Sequence, residues 1–153
     1  MSEFGPALEV RDATGLNLAV VRSRYNEHIT SGLAAGAVGY LDQAGAIYRV
    51  YEAPGTFELP LVSQKVLDAG HDGVVALGAV IDGETDHYEH VAHRASEGLM
   101  RVMLDTGKPV AFGVLTVRQE KHALVRSQAG PGNKGAEAAA AVVETALLLR
   151  DLG

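Results

Sequence analysis

Gly73-Val74-Val75-Ala76-Leu77-Gly78-Ala79-Val80-Ile81-Asp82-Gly83 carries an apolar run from Val74 to Ile81, with glycine near each end. A strand with one wet face alternates apolar and polar residues. A run with no polar alternation reads instead as a strand buried on both faces, at the centre of a parallel sheet. Working outward, Leu16–Val21 reads as a second buried strand, Ile47–Tyr51 as a short third, and Val110–Thr116 as the last in the chain. Between them Ile29, Leu33, Ala37, Tyr40 and Leu41 recur at helical spacing, after a polar turn in which Asn26 is suited to capping. Leu59–Ala69 reads as a helix stopped by Gly70, and Tyr88, Val91, Ala92, Ala95, Leu99, Val102 and Met103 mark a long one. Helical stretches at Gln119–Arg126 and Gly135–Leu152, separated by Gly130-Pro131-Gly132-Asn133, close the chain.

The order β-α-β-α-β-α-β-α-α predicts a three-layer α/β sandwich, a four-stranded parallel sheet with helices on both faces. In such sheets ligands bind beyond the carboxyl ends of the strands. All four strands here run into glycine-rich or polar loops, which should meet at one edge. Gly32, Gly36 and Gly39 lie within the first helix, where each costs about 1 kcal/mol relative to alanine. Three together suggest that a backbone, from the sheet or another subunit, approaches that helix closely.

The 153 residues suit a single domain over 1–153, with 1–15 expected as an extended N-terminal segment. The chain has no cysteine, which excludes disulfides, thiolate nucleophiles and cysteine-held metals. A net charge of −6 disfavours nucleic acid as a partner. There is no secretion-like start and no apolar run long enough for a membrane span, so a cytoplasmic protein acting on something small is expected.

Several residues suit chemistry. His87, in the loop after the central strand, has the residue type that exchanges protons near neutral pH. His87, Glu89, His90 and His93 could be imagined as a metal site, but steps of three drift around a helix and make a poor tetrahedron. No metal is expected. Arg126 and Lys134 flank the glycine turn, an arrangement able to hold an anion or simply to carry solvated charge; Glu137 could orient either cation or favour the helix start. Tyr25 and Phe57 follow strands and Phe112 lies within one, so Tyr25 and Phe112 could sandwich a flat ring, with Asn26 and Glu58 meeting its polar groups.

Taken jointly, the loops resemble those of the 6,7-dimethyl-8-ribityllumazine synthase family. The matching segments are Ser23-Arg24-Tyr25-Asn26, Pro54-Gly55-Thr56-Phe57-Glu58-Leu59-Pro60, and Leu77-Gly78-Ala79-Val80-Ile81 running on to Gly83-Glu84-Thr85-Asp86-His87-Tyr88. Phe112-Gly113-Val114-Leu115-Thr116 and Gly132-Asn133-Lys134-Gly135 complete a set in family order from about Leu16 to Leu152. The resemblance implies a flavodoxin-like fold and a cofactor-free transferase of riboflavin biosynthesis. That enzyme would join 5-amino-6-(D-ribitylamino)uracil to 3,4-dihydroxy-2-butanone 4-phosphate, releasing phosphate and water.

Carried across by position, the resemblance implies that Tyr25 stacks on the pyrimidine, where the family usually has Phe or Trp. Asn26, Thr56, Phe57 and Glu58 would meet the ribityl chain and ring edge, and Val80 and Ile81 would offer backbone groups. Phe112 would line the pocket from a neighbouring subunit. Arg126 would grip the phosphate with the backbone of Gly83, Glu84 and Thr85, while His87 shuttles protons and Lys134 lies in a pocket-lining loop. The resemblance also implies homo-oligomers, either pentamers with sites between subunits or sixty-subunit icosahedral capsids; riboflavin synthase is a further partner it allows. Asp82 stands where the family commonly has Arg, a reversal worth about 1 kcal/mol per contact to an anion in water-like surroundings. With the unusual stretch Val117-Arg118-Gln119-Glu120-Lys121-His122, it leaves open a second reading, a catalytically weakened member acting as a ligand-binding or shell-forming protein.

Overall fold

The computed structural model describes residues 7–153; the first six residues of the expected N-terminal segment lie outside the described residues. From Ala7 to Leu16 the chain carries no helix or strand. It is nonetheless tied to the body, because the Ala13 amide donates to the Ala44 carbonyl at 2.8 Å and the Tyr40 hydroxyl donates to the Glu9 carbonyl at 2.9 Å.

The elements follow the expected order with ends shifted by a residue or two. They are β1 (Asn17–Ser23), α1 (Glu27–Ala44), β2 (Ile47–Ala53), α2 (Leu59–Asp68), β3 (Gly73–Ile81), α3 (His87–Thr106), β4 (Val110–Val117), α4 (Glu120–Ser127) and α5 (Lys134–Leu152). A 3₁₀ turn at Thr56–Glu58 leads into α2, which has a proline in its first turn, where the missing N–H costs nothing. All strand pairs are parallel, in the order β2-β1-β3-β4. The chain thus builds outward from β1 to one side and then returns to build on the other. That reversal makes a switch point between β1 and β3, where the following loops diverge and leave a crevice.

Strand β3 is buried from Gly73 to Val80, as its sequence indicates. Alternate side chains serve two separate cores. Leu18, Val20, Val75, Leu77 and Leu115 pack with Ile29, Leu33, Leu41, Val142 and Val143 beneath α1 and α5. Ala19, Val21, Val74, Ala76 and Val114 pack with Leu59, Val66, Leu67, Leu99 and Val102 beneath α2 and α3. Each fully buried leucine contributes about 1.5–3 kcal/mol relative to exposure, so the two-sided burial of the central strands anchors the sheet.

Strand β2 is not covered on both faces as β3 is. It is an edge strand, and Ile47 and Val50 are exposed. Its aromatics find local partners instead: Tyr51 meets the ring of His71 edge-on and bonds its Nε2 at 2.8 Å, and the Tyr48 hydroxyl donates to Asp42 at 2.7 Å.

The close backbone approach expected at α1 comes from this chain's own C-terminal third. A Cβ at Gly32 would collide with the Ser127 carbonyl, one at Gly36 with the side chain of Asn133, and one at Gly135 with the backbone of Leu33. Gly39 differs, because a Cβ there would meet open space. Two of the three α1 glycines are therefore packing requirements.

Candidate active site

The carboxyl edge of the sheet holds an open cavity of about 740 Å³. Three of the four strand-end loops line it. The β1 loop supplies Tyr25 and Asn26, the β2 loop supplies Gly55, Thr56, Phe57 and Glu58, and the end of β3 supplies Ala79, Val80 and Ile81. The first turns of α3 add His87, Tyr88, His90 and Val91. The cavity therefore sits at the β1/β3 switch point, where the sheet topology predicts it.

Two of its aromatic rings point to solvent although their backbones are fixed. Tyr25 is 73% exposed and Phe57 58% exposed. The Tyr25 amide donates to the Pro54 carbonyl at 3.2 Å, and the Ser23 hydroxyl donates to the Tyr25 carbonyl at 3.1 Å. The two rings thus leave large apolar faces open beside the cavity, although aromatic side chains gain most when buried. Below them Thr56 is buried, and a Cβ at Gly78 would stand 2.6 Å from its hydroxyl, so glycine is required where β3 passes the turn.

Asn26 does not cap α1 in the expected way. It occupies the N-cap position but lies in the left-handed region, with φ 61°, and its side chain caps nothing. Its amide nitrogen instead donates to the Ala79 carbonyl of β3 at 2.8 Å.

His87 opens α3 and is exposed; its backbone amide donates to the Thr85 hydroxyl at 3.3 Å. Gly83, Glu84 and Thr85 form the exposed loop ahead of it. His90 Nε2 lies 3.2 Å from the Asp86 carboxylate, one helical turn away. From the sequence, His90 reads only as an imagined metal ligand and Tyr88 only as an apolar helix position. Their signal was available, because residues three and four apart share a helix face with their neighbours. No group of three metal-ligating side chains is arranged to hold a metal ion among the described residues.

Phe112, Arg126 and Lys134 are not part of this cavity wall. Phe112 lies on the edge strand β4 and is 40% exposed. Arg126 lies near the end of α4, where one guanidinium nitrogen donates to the His122 carbonyl at 3.1 Å. Lys134 is the first residue of α5 and pairs with Glu137 at 2.8 Å. One chain thus brings together the proposed pyrimidine-facing residues and His87, without the proposed phosphate-facing cation.

Known proteins resemble the chain over nearly its whole length. A family model described as 6,7-dimethyl-8-ribityllumazine synthase matches residues 15–150. A protein of that name from Leifsonia xyli subsp. xyli is 49% identical over 149 residues, covering 95% of this chain and 94% of the relative. One from Clavibacter sepedonicus is 50% identical over 141 residues, covering 91% and 88%. Another from Nitratidesulfovibrio vulgaris strain DP4 is 43% identical over 145 residues, covering 92% and 93%. With the parallel sheet, the loop motifs in order and the cavity at the switch point, these matches show that the chain belongs to the 6,7-dimethyl-8-ribityllumazine synthase family.

Proposed function

We propose that this protein condenses 5-amino-6-(D-ribitylamino)uracil with 3,4-dihydroxy-2-butanone 4-phosphate to give 6,7-dimethyl-8-ribityllumazine, phosphate and water. The observation that carries the reading is the cavity that gathers Tyr25, Asn26, Thr56, Phe57, Glu58, Val80, Ile81 and His87, in a chain of that family. A flat pyrimidine would lie against Tyr25. Its polar edge and ribityl hydroxyls would face Glu58, Thr56 and the backbone of Val80 and Ile81.

The chemistry then needs protons moved rather than electrons. An amine nitrogen adds to the ketone carbonyl and water leaves, giving an imine. A carbon-bound proton next to the imine is removed as the phosphate departs, the resulting enol takes up a proton on its terminal carbon to become a methyl ketone, and the second amine adds to that ketone and closes the ring with loss of a second water. An imidazole at position 87 can accept and return protons in these steps, which is typically worth 10²–10⁴-fold, and holding both substrates in register supplies much of the rest.

Phosphate is the leaving group, and Arg keeps its charge at every relevant pH. Arg126 of an adjacent copy would hold it, with Gly83, Glu84 and Thr85 offering backbone groups, while Phe112 and Lys134 would close the cavity from that copy. The same reading puts the enzyme in the cytoplasm, joins copies into pentamers or sixty-subunit shells, and allows riboflavin synthase as a partner.

The test is to mix the purified protein with both substrates and follow lumazine absorbance. A rate well above the spontaneous one supports the reading, and none above it contradicts it. Arg126→Ala should raise the Michaelis constant for the phosphorylated ketose far more than for the pyrimidine; equal effects would remove its phosphate role. Co-assembled His87→Ala and Arg126→Ala chains should turn over faster than either variant alone at the same substrate concentrations, if adjacent copies share each site.

A further inference from the structure

We propose that Asn26 is the positioning residue of the pyrimidine platform, acting by locking the β1 loop to the end of β3. The inference rests on the assignment of the cavity to this condensation, and concerns how its stacking wall is held.

Three observations converge on Asn26. It is the non-glycine residue with a positive φ among the described residues, at 61°. Asparagine tolerates that region better than most residues, yet such strain persists only where surroundings enforce it, and it gathers at functional sites. Its side chain gives up the local capping bond that its position offers and reaches 53 residues along the chain to the Ala79 carbonyl, at 2.8 Å. And that bond lies where the ladder has run out. The register of β1 with β3 ends at Arg22–Leu77, while β3 and β4 stay paired through Ile81–Val117. Asn26 therefore supplies a donor to β3 just past the point where β1 stops supplying them.

The geometry couples two walls of the cavity. On one side of the clamp is Tyr25, whose ring is exposed and whose orientation depends on its backbone. On the other are Val80 and Ile81, immediately after the clamped carbonyl. Because the left-handed residue directly follows Tyr25, it also sets the direction in which the chain leaves β1 for α1, and the Asn26 carbonyl accepts the Ile29 and Thr30 amides at 2.9 and 3.0 Å. A platform fixed before the ligand arrives loses less freedom on binding. The bond to Ala79 takes one of the two amide hydrogens of Asn26, and the loop geometry it fixes reaches the ligand through Tyr25 and the β3 terminus.

Asn26→Gly keeps the left-handed backbone accessible but deletes the clamp, and Asn26→Asp keeps the size but sets a carboxylate against a carbonyl. Each purified variant, the wild type and Tyr25→Ala are compared by amide hydrogen exchange of peptides spanning 22–30 and 78–82, and by the dissociation constant of the pyrimidine substrate alone. We expect faster exchange in both peptides for Asn26→Gly, with pyrimidine affinity about tenfold weaker, as for the loss of one half-buried hydrogen bond. Asn26→Asp should be at least as impaired, and the turnover number should change less than the affinity. Unchanged exchange with weakened affinity would make Asn26 a direct substrate contact and overturn the proposal. Faster exchange with unchanged affinity would reduce it to a structural residue and also overturn it. Equal pyrimidine binding by Tyr25→Ala and the wild type would instead refute the site assignment beneath it, whatever the Asn26 variants do.

Discussion

Two asparagines stand at equivalent places in this fold, each just before a helix that leaves the carboxyl edge of the sheet, and they do opposite things. Asn133 precedes α5 with ordinary backbone angles, φ −64° and ψ 120°, and its side-chain oxygen accepts the Ala136 amide at 3.0 Å. Its amide nitrogen reaches the carbonyls of Gly32, Ser127 and Gln128 at 3.1–3.2 Å, and the residue is 3% exposed. It closes a seam in which α1, α5 and the end of α4 touch through glycine. Asn26 is half-buried, strained and uncapped, and faces a cavity that stays open. The difference teaches that this part of the molecule is divided between a zone of dense glycine-mediated packing and a zone where aromatic rings stay exposed around an open cavity.

That division can be broken most severely on the seam. Gly135→Ala would drive a methyl into the backbone of Leu33, which no side-chain rotation relieves, and should cost about 3 kcal/mol or more in chemical denaturation. A loss under about 1 kcal/mol would show that the seam yields more easily than this account allows. Asn133→Ala comes next. It removes a helix cap and the two amide hydrogens shared among the Gly32, Ser127 and Gln128 carbonyls, so about 2–3 kcal/mol should be lost in the same experiment.

On the cavity side the expectation reverses. Tyr25→Ala should leave stability within about 0.5 kcal/mol, because the ring is 73% exposed. Its pyrimidine affinity should fall by about 1–3 kcal/mol, the range for a base stacked on an aromatic ring. A large stability loss with unchanged affinity would erase the contrast.

The smallest effect concerns the N-terminal segment. Burial raises the Tyr40 hydroxyl above its ordinary value, with Glu144 adding to the rise, and this hydroxyl bonds the backbone at Glu9 and Arg11. A raised value means that the fold prefers the protonated phenol. The contribution is therefore intact below about pH 10, where the unfolded tyrosine titrates, and is lost as pH rises through the folded value. Tyr48 shifts the same way through its bond to Asp42, so Tyr40→Phe should remove only part of the alkaline decline in denaturation midpoint. An unaltered alkaline slope would mean that Tyr40 takes no part in it.

Which features could be read from the sequence follows from the same division. Strand β3 was legible because a strand covered on both faces leaves an uninterrupted apolar run. Tyr25, Glu58, Val80 and His87 could be placed because loops after parallel strands gather at one edge. The roles of the asparagines could not be read. Capping propensity favours both equally, and only the end of the β1–β3 ladder, a tertiary fact, draws one side chain away. Nor could the exposure of Ile47 and Val50, since a residue pattern does not say which strand lies at the edge. The loop motifs name Phe112, Arg126 and Lys134, but the fold of one chain leaves them outside the cavity wall, so grouping them with it goes beyond what one chain brings together.

The most direct measurement is a crystal structure of the assembled protein with an unreactive analogue joining a ribitylaminopyrimidine to a phosphonate. The account predicts the heterocycle stacked on Tyr25, His87 beside the linkage, and the phosphonate held by Arg126 of an adjacent copy. An analogue seated away from Tyr25, or Arg126 distant from every bound phosphonate in the assembly, would contradict it.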